Sequence, residues 1–245
     1  MVKVLTLLFG FMPINFIKVF LLKMLGHKLS YKSYIGVSFL YVNQLTLEEN
    51  AKIKSFSFIK IEKLNLKANS FIGRFNYLKG FFDVFLDSSS GISTKNKIRR
   101  GYFPIVYKKA QLRLGKNSFI VANHFLDLTS SISIGENSIV AGIGSQMWTH
   151  GYYHANTGED RIRIDGQIYI GDNVYIGSGC IFNPGVTVAN AIHIGGGSIV
   201  SKDLEKPGMY VGQGLRYIDN DLEKVKSKLK KVEAPNLVEP VYVKE

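Results

Sequence analysis

Large apolar residues recur every six positions along part of the chain, at Ile164, Ile170, Ile176, Phe182, Val188, Ile194 and Val200, in unbroken register. Two residues before each stands another apolar or small residue: Ile162, Ile168, Val174, Cys180, Val186, Ile192 and Ser198. Side chains alternate across a strand, so both positions belong to one face of a short strand. The rest of each hexad is rich in turn formers, as in Gly171-Asp172-Asn173 and Gly195-Gly196-Gly197, which let the backbone bend sharply. Each hexad thus predicts one strand and one corner. Three of them close a triangular coil, and stacked coils bury a continuous aliphatic column.

Related phrases occur upstream as LEENAKI from Leu47, LKANSFI from Leu66, LGKNSFI from Leu114 and IGENSIV from Ile134. The solenoid is therefore expected to start near residue 35. Its spacing there is looser, which predicts bulges or small corner loops. Between Ile72 and Leu114 the pattern is weakest, and GFFDVFLDSSSG and the basic run KNKIRR mark an irregular excursion. After Val211 the repeat stops. Leu222, Val225, Leu229 and Val232 then fall at helical spacing, predicting a C-terminal helix capped by Asp219 or Asp221 and followed by an extended tail.

At the N-terminus, Phe16, Phe20, Leu21 and Met24 alternate with Lys18 and Lys23 in the manner of an amphipathic helix. The charge-free run from Val4 to Ile17 is shorter than the roughly 20 apolar residues that span a bilayer, and Pro13 and Asn15 interrupt it. No small-residue cleavage site follows it, so it fits a secretory signal poorly. Such a helix either covers the open end of the solenoid or docks on the inner face of a membrane. The chain accordingly divides into a helical cap (1–33), a β-solenoid (34–218) and a C-terminal helix with its tail (219–245).

Composition sharpens this picture in two places. A single cysteine, Cys180, excludes an intrachain disulfide framework and points to a reducing compartment, the cytoplasm by default. Its register places it inside the column, where a thiol is a small hydrophobe and no nucleophile. The net charge of +12 is uneven: residues 1–110 hold 18 Lys/Arg against 5 Asp/Glu, and the rest of the chain 13 against 14. The first half is either a solvated basic face or the seat of an anionic partner. No aromatic-basic recognition motif argues for nucleic acid.

One segment, AGIGSQMWTHGYYHANTGEDRIR, breaks the repeat between Val140 and Ile164. It is too long for a corner, and loops on a rigid scaffold are where function concentrates. It carries His150, His154 and the only tryptophan, Trp148. The Gly-rich runs GIGSQ and IGGGS are not nucleotide fingerprints, because they sit in corners with neither a following helix nor a GK[ST] element.

The run WTHG, followed by IYIGDNVYIGSGCIFNPGVTVANAIHIGGGSIVSKD, resembles the hexapeptide-repeat acetyltransferases that modify galactosides, maltose and bacterial surface polysaccharides. Roughly residues 134–218 carry the resemblance, and LLKMLGHKLSYKSYIG is similar to the start of polysaccharide-associated members. It implies an all-β solenoid wound as a left-handed parallel β-helix, a homotrimer with active sites between subunits, and acetyl-CoA as the donor to a sugar hydroxyl, with no metal. By the same resemblance, His150 matches the family's histidine base, with Trp148, Thr149 and His154 beside it as acceptor contacts. Asn123 and Asp127 match residues that hold the acceptor. Ser178, Gly196, Ser201 and Lys202 fall along the cofactor groove, with Arg216 near a phosphate; Gly212-Gln213-Gly214-Leu215 departs from the family's Gly-x-Pro-Ala. The implied acceptor is a surface polysaccharide or its precursor, including a lipid-linked glycan, with peripheral membrane contact. A sugar N-acetyltransferase, a zinc lyase using His150, His154 and His193, and a purely binding solenoid are the competing readings. His193 is expected to point outward and His27 to belong to the end cap.

Overall fold

Three parallel sheets wind around the aliphatic column that the hexads predict. The first stacks strands from Lys28–Leu29 to Thr187–Val188, the second from Tyr34–Ile35 to Gly208–Tyr210, and the third from Phe39–Tyr41 to Ile199–Val200. Each strand pairs with its equivalent one coil away. The structure, a computed structural model, describes residues 1–101, 106–212, 222–234, 237 and 240–244. The architecture is the parallel β-helix expected from the repeat, beginning slightly earlier than residue 34. Tyr169 pairs with Thr187, an 18-residue coil, whereas Thr46, Asn65 and Phe85 succeed one another at 19 and 20 residues. The phrases expected to form an irregular excursion are regular instead: GFFDVFLDSSSG supplies the strand Phe82–Leu86 and KNKIRR the strand Lys97–Arg99, each paired in parallel with the coils on both sides.

From Ile168 to Val200 every residue assigned to the column is buried. Each such aliphatic side chain contributes about 1.5–3 kcal/mol of burial. The register of six fails at one end: Ile164 lies in an antiparallel hairpin of His150–His154 against Arg161–Asp165. There the chain has left the coil, and the spacing of Ile164 from Ile170 does not reflect a shared column.

Parallel coils satisfy the amides of their strands, but corner amides turned inward need another acceptor. A column of polar side chains between the second and third sheets supplies it. Ser38 Oγ accepts from Ser57 N–H, Ser57 Oγ from Asn76 N–H, and Asn76 Oδ1 from Asn96 N–H. Asn96 Oδ1 then accepts from His124 N–H, His124 Nδ1 from Ser145 N–H, and Ser145 Oγ from Cys180 N–H. All seven residues are buried. An unsatisfied amide at any rung would cost roughly 1–3 kcal/mol. His124 is thus a structural member of the corner.

Two helices close the N-terminal end: α1 (Val2–Gly10) and α2 (Asn15–Met24). The helix α2 covers the open end of the column, but not with the apolar face read from the sequence. Val19, Leu22 and Lys18 point into the end of the column, whereas Phe16, Phe20 and Met24 are 68%, 47% and 70% exposed. Lys18 is buried because its Nζ donates to the carbonyls of Ile35, Gly36 and Gly10, at 2.8, 2.9 and 3.3 Å. Burial lowers its pKa to about 8. Asn15 Oδ1 accepts from Ile35 N–H and its Nδ2 donates to Ser33 O, which caps the open edge of the second sheet. His27 belongs to the cap as expected, accepting from Leu45 N–H and meeting Thr6 Oγ1 at 2.7 Å.

At the other end the predicted C-terminal helix is short, α3 (Leu222–Lys226), and its proposed caps Asp219 and Asp221 lie outside the described residues. Beyond it the chain forms strands rather than a free tail. Val241–Val243 pairs in parallel with Arg161–Asp165, and Lys230–Lys231 adds on its far side. Val241 is fully buried there.

His124 makes this fold acid-sensitive. Burial drives its pKa down to about 4, so the folded protein resists a proton that the unfolded chain accepts near pH 6.5. Stability is therefore intact above pH 6.5 and falls as pH drops toward 4, by roughly 3 kcal/mol from this group alone. His124→Asn keeps an acceptor on the corner column and removes the titration. Urea unfolding at pH 7 and pH 4.5 should show a smaller acid loss in the variant; an unchanged loss would assign it to another group.

Candidate active site

The hairpin folds back over the corner that follows the third sheet, and this brings four separated stretches of sequence together. Asp127, at the end of the strand Phe125–Asp127, receives both sides of the arrangement. Its Oδ2 accepts from His150 Nδ1–H at 2.8 Å, from Thr149 Oγ1–H at 2.7 Å and from Thr149 N–H at 3.1 Å. Its Oδ1 accepts from Thr129 Oγ1–H at 2.9 Å. An ionised carboxylate only accepts, so the proton shared with His150 sits on Nδ1 and leaves Nε2 with its lone pair.

The electrostatics follow from burial and these bonds. Burial opposes ionisation of Asp127, but the bonds from His150, Thr149 and Thr129 outweigh it and hold the carboxyl below its ordinary range. The bond to Asp127 raises the imidazole of His150 above its usual value, against partial desolvation. About 29% of the His150 side chain remains exposed, against 6% for Asp127. The histidine can therefore reach a substrate while its partner is sealed from solvent.

A second carboxylate backs the first. Asp165, the Cα partner of His150 across the hairpin, is fully buried and takes Arg163 Nε–H and Nη2–H at 2.9 and 3.2 Å. Burial raises the Asp165 pKa and Arg163 opposes the rise. The guanidinium of Arg100, buried beside both carboxylates, donates to the carbonyls of Phe81 and Lys108. Neither Asp165 nor Arg100 belongs to the sequence-predicted set. The one available signal was RIRID, in which Arg163 and Asp165 alternate with isoleucines where a half-buried strand should be apolar.

Two expected acceptor contacts have other partners. Asp127 is 4% exposed and committed to His150 and two threonines. Thr149 is fully buried, its hydroxyl shared between Asp127 and Ser130 N–H. Both are positioned to hold His150, and burial removes them from an acceptor. Asn123 is exposed at a corner with φ +52°, its backbone carrying the link from Gly144 N–H to Thr94 O. Trp148, His150, Tyr152 and His154 share one side of the extended chain, with ring centroids 6.3, 6.4 and 6.3 Å apart in succession. Trp148 also packs on Phe125 at 4.7 Å. His193 stacks on Tyr175 at 4.6 Å on the outside of the second sheet, away from the corner that carries His150.

The residues of the cofactor phrase frame the third sheet from its two corners. Ser178 and Gly196 lie before it: Ser178 Oγ accepts from Ile143 N–H, and Ser178 O accepts from Gly197 N–H. At Gly142, where φ is +64°, a Cβ would come within 1.7 Å of Ser178 Oγ, so that position admits only glycine. Ser201 and Lys202 follow the strand Ile199–Val200 and are exposed. Trp148 N–H donates to Phe182 O, and Asn183 N–H to Val200 O. Ser201 thus stands two coils from Trp148 on one edge, roughly 10 Å away. Arg216 and the departure at Gln213-Gly214-Leu215 lie outside the described residues. Among the described residues no group of three His, Cys, Asp or Glu side chains is arranged to hold a metal ion.

No family model matches the chain. It is 35% identical over 117 residues to a protein of Staphylococcus aureus (strain Mu50) named provisionally as an acetyltransferase, covering 45% of this chain and 57% of the relative. It is 31% identical over 123 residues to the galactoside O-acetyltransferase of Escherichia coli (strain K12), covering 47% of this chain and 58% of that enzyme. The chain therefore spans little more than half the length of these relatives. A solved polysialic-acid-specific acetyltransferase, NeuO, aligns with a TM-score of 0.46 at 19% identity, over 79% of this chain and 80% of that one. Both sequence relatives are named as acetyltransferases, in agreement with the resemblance read from the motifs.

The Asp127–His150 bond predicts a titration. Because that bond is the main cause of the raised imidazole pKa, Asp127→Asn should lower it, and NMR titration of the His150 ring should show the inflection move to lower pH. An inflection unmoved in the variant would mean that the pair is not charge-coupled in solution.

Proposed function

We propose that the chain transfers acetyl from acetyl-CoA to a hydroxyl of a bacterial surface-polysaccharide sugar or its precursor. The observation that carries this reading is His150: a partly exposed imidazole whose Nδ1 is fixed by a buried carboxylate, leaving Nε2 as a base. A sugar hydroxyl is a weak nucleophile, and a base with a pKa near neutrality removes its proton as the oxygen attacks the thioester carbonyl. Collapse of the tetrahedral adduct breaks the carbon–sulfur bond, and the imidazolium returns the proton to the departing thiolate. No acyl-enzyme is needed. Asp127 holds the ring and stabilises the imidazolium. Support also comes from the sequence relatives, one of them a galactoside O-acetyltransferase.

The donor fits the frame of the third sheet. The glycine-rich corner at Gly142, Ser178 and Gly196, with Ile143 and Ile199 exposed beside it at 57% and 39%, suits a narrow pantetheine arm. Lys202 on the opposite corner suits a phosphate. In a homotrimer, a neighbouring subunit would close the last coils of this sheet, around Ile181–Phe182 and Ile199–Val200, into a groove and leave its earlier coils open. His154 and Trp148 flank the base on the acceptor side.

We place the protein at the cytoplasmic face of a membrane. No helix among the described residues is long and apolar enough to cross one. The helical cap nevertheless exposes Leu8, Phe11, Ile14, Phe16, Phe20 and Met24, and apolar area beside basic charge binds anionic bilayers.

Three measurements test these readings. Purified protein should release CoA only when a glycan acceptor is present, and His150→Ala should lower turnover by roughly 100- to 10,000-fold. Acetylation of an amine alone would install the N-acetyltransferase reading, and bound zinc with no acyl transfer the lyase. Lys202→Ala should raise the KM for acetyl-CoA more than that for sugar; unchanged cofactor kinetics would leave Lys202 a solvated corner residue. Liposome flotation with anionic lipid should recover the wild type and lose a Phe16→Asp, Phe20→Asp variant, whose substitutions sit on the exposed side of α2. Wild type that stays in the soluble fraction at low salt would remove the membrane contact.

A further inference from the structure

The outer face of the third sheet carries an ordered arrangement that the proposed chemistry does not use. Because coils stack in register, equivalent outward residues form rows at about 4.8 Å per coil. One row is mainly aromatic: Phe39, Phe58 and Tyr77 pair in succession, then Lys97, then Phe125. The first three rings stack at 4.3 and 5.0 Å, and Phe125 packs at a tilt on Trp148 beside His150. The next row is cationic: Tyr41 pairs with Lys60, Lys60 with Lys79, and Lys79 with Arg99, whose own partner is Asp127. Both rows thus lead from the helical cap, where Phe11 meets Phe39 at 6.4 Å, to the candidate active site.

Lys60, Lys79, Lys97 and Arg99 are exposed, and no salt bridge among the described residues joins any of them to an acid. Two carboxylates adjoin that row and both are engaged: Glu62 by Lys3 and Asn43, and the buried Asp127 by His150, Thr149 and Thr129. Like charges stacked directly across paired strands repel. Aromatic rings beside unneutralised cations, repeated along one line, suit a polymer with sugar faces to lie on rings and anionic groups to meet the cations. Pairing this face with itself in an oligomer would bring several such cationic rows together, which charge disfavours.

We propose that the third sheet is a docking track for an extended anionic glycan, a linear polysaccharide bearing carboxylate or phosphate, which it feeds toward His150. From Phe39 to Trp148 the track spans five coil steps, roughly 24 Å, enough for several sugar rings. The acceptor is then an internal unit of a polymer and not a free or nucleotide-linked sugar. This deepens the acetyl-transfer reading and rests on it only for the reaction at the end of the track; the binding can be measured alone.

Polygalacturonate and its oligomers serve as carboxylated probes, with dextran as the neutral one. Titration calorimetry at low salt should show affinity for the wild type that rises with oligomer length, falls with added salt and is absent for dextran. Lys60→Glu with Lys79→Glu should weaken it at least tenfold and leave the KM for acetyl-CoA unchanged. Lys63→Glu with Lys116→Glu, an equal charge change on other parts of the solenoid, should weaken it far less. Equal losses from both pairs would reduce the effect to net charge and overturn the track, as would binding independent of length. A Lys60/Lys79 variant with wild-type affinity but an altered mass by light scattering would make this face a subunit interface instead. Track binding without any acetyl transfer would uphold the track and sink the proposed reaction.

Discussion

A coil that turns three corners must bring amides inside, and each inward amide needs an acceptor that cannot be water. The corner column from Ser38 to Cys180 meets that need one rung at a time: a short polar side chain of one coil accepts the amide of the next. The aliphatic column supplies most of the burial energy, but it is not directional and would tolerate a slipped coil. The polar column would not, because a slip leaves several amides unsatisfied at roughly 1–3 kcal/mol each. Register along the solenoid therefore depends on it. The rows of outward residues inherit their alignment from the same constraint.

The candidate active site sits where this regularity is overridden. At the third position of the third-sheet strands, Lys60, Lys79 and Arg99 are exposed, and the next residue in that row, Asp127, is buried. Nothing in the strand itself distinguishes Asp127. The difference is the hairpin, with the strand Val241–Val243 along its edge and the buried Arg163–Asp165 pair beneath it. A carboxylate buried alone would be pushed toward neutrality; Asp127 stays ionised because His150, Thr149 and Thr129 all donate to it. Scaffold and chemistry are coupled through one covered residue.

How far the sequence reveals this depends on the range of each interaction. The repeat is local and periodic, so the strands, the column and the inward Cys180 are all readable from spacing. Where function requires the chain to leave the repeat, spacing misleads: Ile164 keeps the six-residue register yet belongs to an antiparallel hairpin. Which face of α2 meets the column is hidden for a related reason. Lys18 reads as a solvent-facing residue, and only the carbonyls of Gly10, Ile35 and Gly36 give its ammonium a buried seat. Asp127 and His150 are 23 residues apart, and their bond follows from the excursion of the hairpin, which no periodicity encodes. The strand Val241–Val243 is equally hidden, since its partner lies far upstream in sequence.

The raised pKa of His150 also bears on why the carboxylate is buried. An imidazole with a higher pKa is a stronger base but is more often protonated at neutral pH, so a large upward shift would cost as much in available base as it returned in proton affinity. An exposed aspartate would shift the pKa little, because solvent screens the pair, and would hold the ring loosely. A buried one could raise the pKa too far. Here partial desolvation of His150 and the nearby Arg163 both act against Asp127 and Asp165, which limits the rise. The arrangement secures what a pKa alone cannot: the Nδ1 proton is pinned, Nε2 keeps its lone pair, and a proton taken up by the ring would have a buried counter-charge 2.8 Å away.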